Sequence, residues 1–181
     1  MKETGGRMRS VLVSVVLLQC LVALAHGPEP DCGMLPCGPG APRFAQYAVA
    51  QQVVKKPAPV DWHSHPRARR FRTALSQAVA GGPNFAGYYT VATWGCGVAC
   101  LEMAIVDTHT GRVFFPGNMR RNAYHVVTED RLPAPFQFVA DSALLIVAGA
   151  PDDGPEKGIF FYVWNGKTLR LRYKEAREWT P

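Results

Sequence analysis

Two strand-length apolar runs flank a close pair of cysteines between Pro83 and Asp107 (PNFAGYYTVATWGCGVACLEMAIVD), and this stretch restricts the fold more than any other. Tyr88 to Trp94 is rich in aromatic and β-branched residues, the types that suit a pleated, half-buried surface. Leu101 to Val106 is a second run of strand length. The connection between them, GCGVAC, holds two glycines that permit a tight turn. A Cys96–Cys100 bond would close that turn into a small ring, contributing about 2 kcal/mol in the chain-entropy account. The pair therefore reads first as a staple and second as a reactive CxxxC.

The amino terminus reads as a targeting segment. Lys2, Arg7 and Arg9 precede a nearly continuous apolar run from Val11 to Leu24, and Ala23-Leu24-Ala25 offers a small-x-small cleavage site. Fourteen residues are few for a membrane span. Gln19 ahead of Cys20 fits a lipoprotein cleavage site poorly, so lipid anchoring at Cys20 is not expected. Export to the periplasm or the medium follows, with residues 1–25 as a signal peptide and no transmembrane segment after cleavage. The formal charge of +6, less the segment's net +2, leaves +4, too modest to indicate a nucleic-acid partner. Four cysteines then remain, an even number that in an exported chain reads as two disulfides. Local pairing, Cys32 with Cys37 and Cys96 with Cys100, is the expected connectivity. Crossed pairing and a four-cysteine zinc site are the alternatives.

Residues 26–56 open as a Pro/Gly-rich arm (GPEPDCGMLPCGPGAP) with too little apolar surface to order itself, and Phe44 to Val54 offers an edge strand at its end. The globular domain is placed at 57–181. Its most chemical spot is Asp61-Trp62-His63-Ser64-His65-Pro66: in an extended chain Asp61, His63 and His65 share one side, a spacing open to a metal. The competing reading is a solvated lead-in capping a helix through Ser64 or His65, with Pro66 in the first turn. Arg67 to Ala80 carries an apolar stripe (Phe71, Ala74, Leu75, Ala78, Val79) at helical spacing, ended by Gly81-Gly82. Arg67, Arg69, Arg70 and Arg72 crowd its first half, where the helix dipole disfavours cations. An anionic neighbour would relieve them, so these arginines with Trp94 form the candidate binding surface.

The run from Pro57 to Pro116, with NFAGYY, WGCGVAC and AIVDTHTGRV inside it, resembles a family of small uncharacterised secreted proteins of Gram-negative bacteria. That family is marked by NFAG[HY]Y, WGCGxxC and AIVDxxTG[KR]V. The resemblance implies an exported location and a shared fold, and brings no activity with it.

The carboxyl-terminal third reads as further strands. Phe136–Ala140 and Ala143–Ala148 form a hairpin apolar on both faces, and PDDGP is an acidic loop. Asn165-Gly166 signals a type I′ turn that sets Tyr162 opposite Leu169 and Phe160 opposite Leu171. The other face would pair Phe161 with Arg170 and Ile159 with Arg172, a mixed aromatic-basic surface open to solvent. The expected fold is α+β: an antiparallel meander of about six or seven strands with one amphipathic helix on it. Phosphate-loop, GxSxG and HExxH motifs are missing, so no catalytic residue is assigned and no cofactor is expected. Two functions stand. One is a non-catalytic, disulfide-stabilised module binding an anionic envelope component or a protein. The alternative is a thiol-redox or metal-dependent enzyme using Cys96/Cys100 or Asp61/His63/His65.

Overall fold

A computed structural model describes residues 38–124 and 134–176, all within the compact unit Asp31–Pro181. Residues 1–25, with Cys20, and Cys32 and Cys37 lie outside the described residues. Among the described residues, eight antiparallel strands form one sheet: β1 (Tyr89–Gly97), β2 (Cys100–Asp107), β3 (Val113–Phe114), β4 (Asn122–Ala123), β5 (Phe136–Gln137), β6 (Leu144–Pro151), β7 (Gly158–Trp164) and β8 (Leu169–Ala176). Their order is β1-β2-β4-β6-β7-β8, with β3 paired to β2 and β5 to β6. The class is the expected α+β, but the path is no plain meander. The two-residue β4 bridges the β1–β2 hairpin to the β6–β7–β8 half.

That bridge lets the two halves share one core. Val91, Met103 and Ile105 from one half cluster with Leu145, Val147, Phe160, Tyr162 and Trp164 from the other, all buried. Both outer faces are covered as well. On β1–β2, Ala92, Ala104 and Val106 pack under Leu75 and Val79 of α1 (Arg72–Ala80), the single α-helix among the described residues. On β6–β7, Leu144, Ile146, Ile159 and Phe161 pack under Ala41 and Phe44. Among the described residues, no helix is long and apolar enough to cross a membrane.

That second cover corrects two expectations. Phe44 and its neighbours form a 3-10 turn, Phe44–Tyr47, where an edge strand was expected. Among the described residues, the only ladder contact nearby is the isolated bridge of Ala48 to Ser142. Phe161 and Ile159 are wholly buried, so the aromatic part of the expected β7–β8 face is covered, while Arg170 and Arg172 of β8 are exposed. An apolar sheet face stays exposed only if nothing else in the chain can cover it, and Phe44 arrives from over a hundred residues away.

The β7–β8 register also differs. Gly166, at φ +87°, sits in the first central position of the turn, with Asn165 amide donating to the Thr168 carbonyl (3.2 Å). Asn165 Oδ1 accepts from the amides of Lys167 (3.0 Å) and Thr168 (2.8 Å), which pulls the turn one residue along. Glycine in that position is the type II′ signature, where Asn-Gly at the centre predicted I′. Trp164 therefore opposes Leu169, and Tyr162 opposes Leu171. The slip is by two residues, so every side chain keeps its face. An extra residue at Arg172 then sets Tyr173 opposite Phe161.

The predicted helix over 67–80 is two pieces. Ala68–Phe71 is a 3-10 turn, and α1 starts at Arg72 after Phe71 leaves helical geometry (φ −111°, ψ 32°). Phe71 is turned to stack on Trp94, ring centres 4.4 Å apart. Arg67, Arg69 and Arg70, unfavourable at a helix amino terminus, are thus kept out of the regular helix, and Arg72 is its first residue.

Candidate functional site

The four arginines flank the start of α1, and the structure separates them. Arg67 is already engaged. Its Nη2 donates to Glu102 Oε2 at 2.8 Å, and its guanidinium lies over Phe115 (4.7 Å) and Phe71 (5.3 Å). The same Glu102 oxygen accepts from Trp94 Nε1 at 3.1 Å. Glu102 is only 14% exposed, so this carboxylate is the anionic neighbour the sequence called for. Its position in β2 directly opposite Trp94 makes the contact a cross-strand one.

Arg69, Arg70 and Arg72 are exposed, and among the described residues no carboxylate lies within ion-pair distance of them. Arg72 sits over the Trp62 ring (5.4 Å) and Arg70 over Phe71 (5.6 Å). Arg69 donates to His63 Nε2. Trp62, Phe71 and Trp94 are all half-buried beside them, which interleaves cations with aromatic surface. Two exposed arginines elsewhere in the chain behave differently. Arg120 and Arg121 each bond the acidic loop, to Asp152 and Asp153, at 3.1 Å.

The Asp61/His63/His65 group does not assemble as a ligand set. Asp61 Oδ1 accepts from the His63 amide (2.9 Å), while His63 Nε2 is held by Arg69. His65 Nδ1 accepts from the Arg67 amide (3.1 Å), and its ring lies 4.6 Å from Phe115. Burial first, then the Arg67 charge, holds the His65 pKa below its ordinary value, which suits a neutral acceptor. Among the described residues no three His, Cys, Asp or Glu side chains gather where they could hold a metal. Ser64 takes the structural role instead: its hydroxyl donates to the Asp61 carbonyl (2.6 Å) and accepts from the Val113 amide (2.9 Å), tying the lead-in to β3.

Cys96 and Cys100 are joined in a disulfide, Cα atoms 5.2 Å apart, at the tip of the β1–β2 hairpin. The pairing slips between Gly95 and Gly97, and Val98 at the tip is fully exposed.

Sequence reasoning missed one feature. A groove of about 370 Å³ is lined by Val49, Ala50, Tyr88, Tyr89, Trp164 and Gly166, among others. The two phenol oxygens lie 3.1 Å apart, and His109 stacks flat on Tyr88 at 4.4 Å. Burial, then the bond to Tyr88, pushes the Tyr89 hydroxyl well above the usual phenol range, so it stays a neutral hydrogen-bonding group. The YY pair in NFAGYY signals a strand and a family-like motif but no groove, because its neighbours Val49 and Trp164 are remote in the chain. The chain matches no protein-family model, no curated protein and no solved structure.

Proposed function

We propose that this chain is an exported, non-catalytic module, periplasmic or secreted, that binds an anionic partner through Arg69, Arg70 and Arg72 with Trp62, Phe71 and Trp94. The leader-like segment, the Cys96–Cys100 bond and the even count of remaining cysteines support export. The observation that carries the binding reading is the contrast among neighbouring cations. Arg67 has a carboxylate of its own, whereas Arg69, Arg70 and Arg72 are exposed with none among the described residues, Arg70 and Arg72 lying over aromatic rings and Arg69 bonding His63. Guanidinium groups are weakly hydrated and planar, and they stack while donating several hydrogen bonds, so such a face suits phosphate or carboxylate oxygens.

The test is binding of the mature protein to phosphatidylglycerol vesicles and, separately, to polyglutamate, which distinguishes phosphate on a lipid surface from carboxylate on a polypeptide. Replacing Arg69, Arg70 and Arg72 together by alanine is expected to weaken binding roughly tenfold or more. Raising the salt concentration weakens the native protein in the same direction. A triple variant that binds as well as the native chain sinks the reading. A thiol-redox role for Cys96/Cys100 is the second reading, favoured by the exposure of Cys96 at the hairpin tip. It requires the bond to open in a glutathione buffer of physiological poise while the fold persists.

A further inference from the structure

Antiparallel pairing alternates residues whose backbone groups face the partner strand with residues whose groups face away. In β1 the residues facing away from β2 are Tyr89, Val91, Thr93 and Gly95, as the bonds at the first two establish. Tyr89 exchanges backbone bonds with Phe85, at 2.9 and 3.0 Å. Val91 is met by a side chain: its amide donates to Asn84 Oδ1 (2.8 Å) and its carbonyl accepts from Asn84 Nδ2 (3.2 Å). The Asn84 carboxamide thus stands in for one peptide unit of a neighbouring strand.

Two residues further the cover ends. Thr93 and Gly95 are exposed, and among the described residues nothing bonds their outward N–H and C=O groups. Proline, a charged residue and a bulge are common ways of blunting an edge. Tyr89 to Gly95 contains neither proline nor charge, and the pairing irregularity begins only at Gly95. Trp94, between the two open residues, projects to the helix side of the sheet, where Phe71 stacks on it and Arg70 lies over Phe71.

We infer that the open half of the β1 edge, Thr93 to Gly95, takes up an extended acidic segment of a protein partner as an added antiparallel strand. The inference rests on the arginine-face reading and gives the partner its form. Side chains of an added strand alternate between faces. Those opposite Trp94 fall on the helix side, toward the arginines, and are the acidic ones. Those opposite Thr93 and Gly95 fall on the other side, and their amides make the ladder bonds. Main-chain bonds supply attachment, and the arginine face selects charge at every second residue.

The probe is a labelled ten-residue peptide of alternating Thr and Glu, titrated against the full-length mature protein. Three forms of the peptide are compared: unmodified, N-methylated at every Thr, and N-methylated at every Glu. Binding of the unmodified and Glu-methylated forms with loss of the Thr-methylated form supports the inference. The Thr93→Pro variant is expected to bind the unmodified peptide about tenfold or more weakly while keeping its fold, because the Thr93 amide makes no bond to β2. The peptide arms leave the protein unaltered, so they decide the matter even if that variant unfolds. If both methylated forms bind alike and only the triple arginine variant fails, strand addition is overturned and the anionic face stands. If the unmodified peptide does not bind while phosphatidylglycerol vesicles do, strand addition is likewise overturned in favour of a lipid surface. If the triple arginine variant binds peptide normally, the acidic partner falls together with the arginine-face reading.

Discussion

Glu102 is the residue whose removal most directly probes how the arginine face is built. One of its oxygens accepts from both Arg67 (2.8 Å) and Trp94 (3.1 Å). A hydrogen bond to a charged group contributes about 1.5–3 kcal/mol, and a neutral one about 1. Arg67 retains 30% exposure and regains water when its partner is lost, so its share belongs at or below the bottom of that range. The loss on Glu102→Ala is therefore about 2 kcal/mol, and on Glu102→Gln about 1, since the amide oxygen still accepts. At this chain length 2 kcal/mol lowers Tm by roughly 6 °C. Urea denaturation followed by tryptophan fluorescence reads the change, with an unaltered m-value. Arg67→Met retains the packing on Phe115 and Phe71, and a double-mutant cycle with Glu102→Gln isolates the pair at about 1 kcal/mol. A coupling indistinguishable from zero, or a Glu102→Ala loss within about 0.5 kcal/mol, refutes the view that this carboxylate organises the face.

Two further outcomes follow from the same framework. Gly111 holds φ +75° in the Asp107–Gly111 turn, and a Cβ there would lie within 1.9 Å of the Pro59 carbonyl oxygen. Gly111→Ala thus combines left-handed strain of about 1–2 kcal/mol with a backbone collision. It should break the Asp61-to-Gly111 bond and cost about 3 kcal/mol or more in chemical denaturation; a near-neutral result would show that the lead-in is free to shift. The second concerns pH. Burial and Arg67 lower the His65 pKa in the folded protein, so the unfolded chain binds the proton more readily. Stability is therefore complete above the unfolded value of about 6.5 and declines as pH falls from there toward the folded pKa. His65→Asn should flatten the stability profile as pH falls below about 6.5, and an unchanged profile would remove His65 from the account.

The elements legible in the residues alone are those set by local periodicity. The hairpin around WGCGVAC, the Phe71-to-Val79 stripe and the doubly buried β6 are each set by spacing within a dozen residues. Patterns of that range survive in any fold that buries them. The register of β7 against β8 was missed by two residues because an asparagine side chain competed with the backbone for the turn, a contest that composition does not rank. A shared side for Asp61, His63 and His65 requires an extended segment. Asp61, His63 and Ser64 turn on one another through Asp61 Oδ1 and the Asp61 carbonyl, and the shared side is lost.

What the residues by themselves determined is the inventory: antiparallel strands, one amphipathic helix, a closely spaced cysteine pair and a crowded run of arginines. Which of those arginines is already neutralised was decided only in three dimensions, when β2 set Glu102 across from Trp94 and within reach of Arg67. The same holds for the cover over Phe161 and for the open stretch of β1 beyond Asn84. Burial and charge pairing are properties of neighbours, and these neighbours lie anywhere from 8 to more than 100 positions apart in the chain.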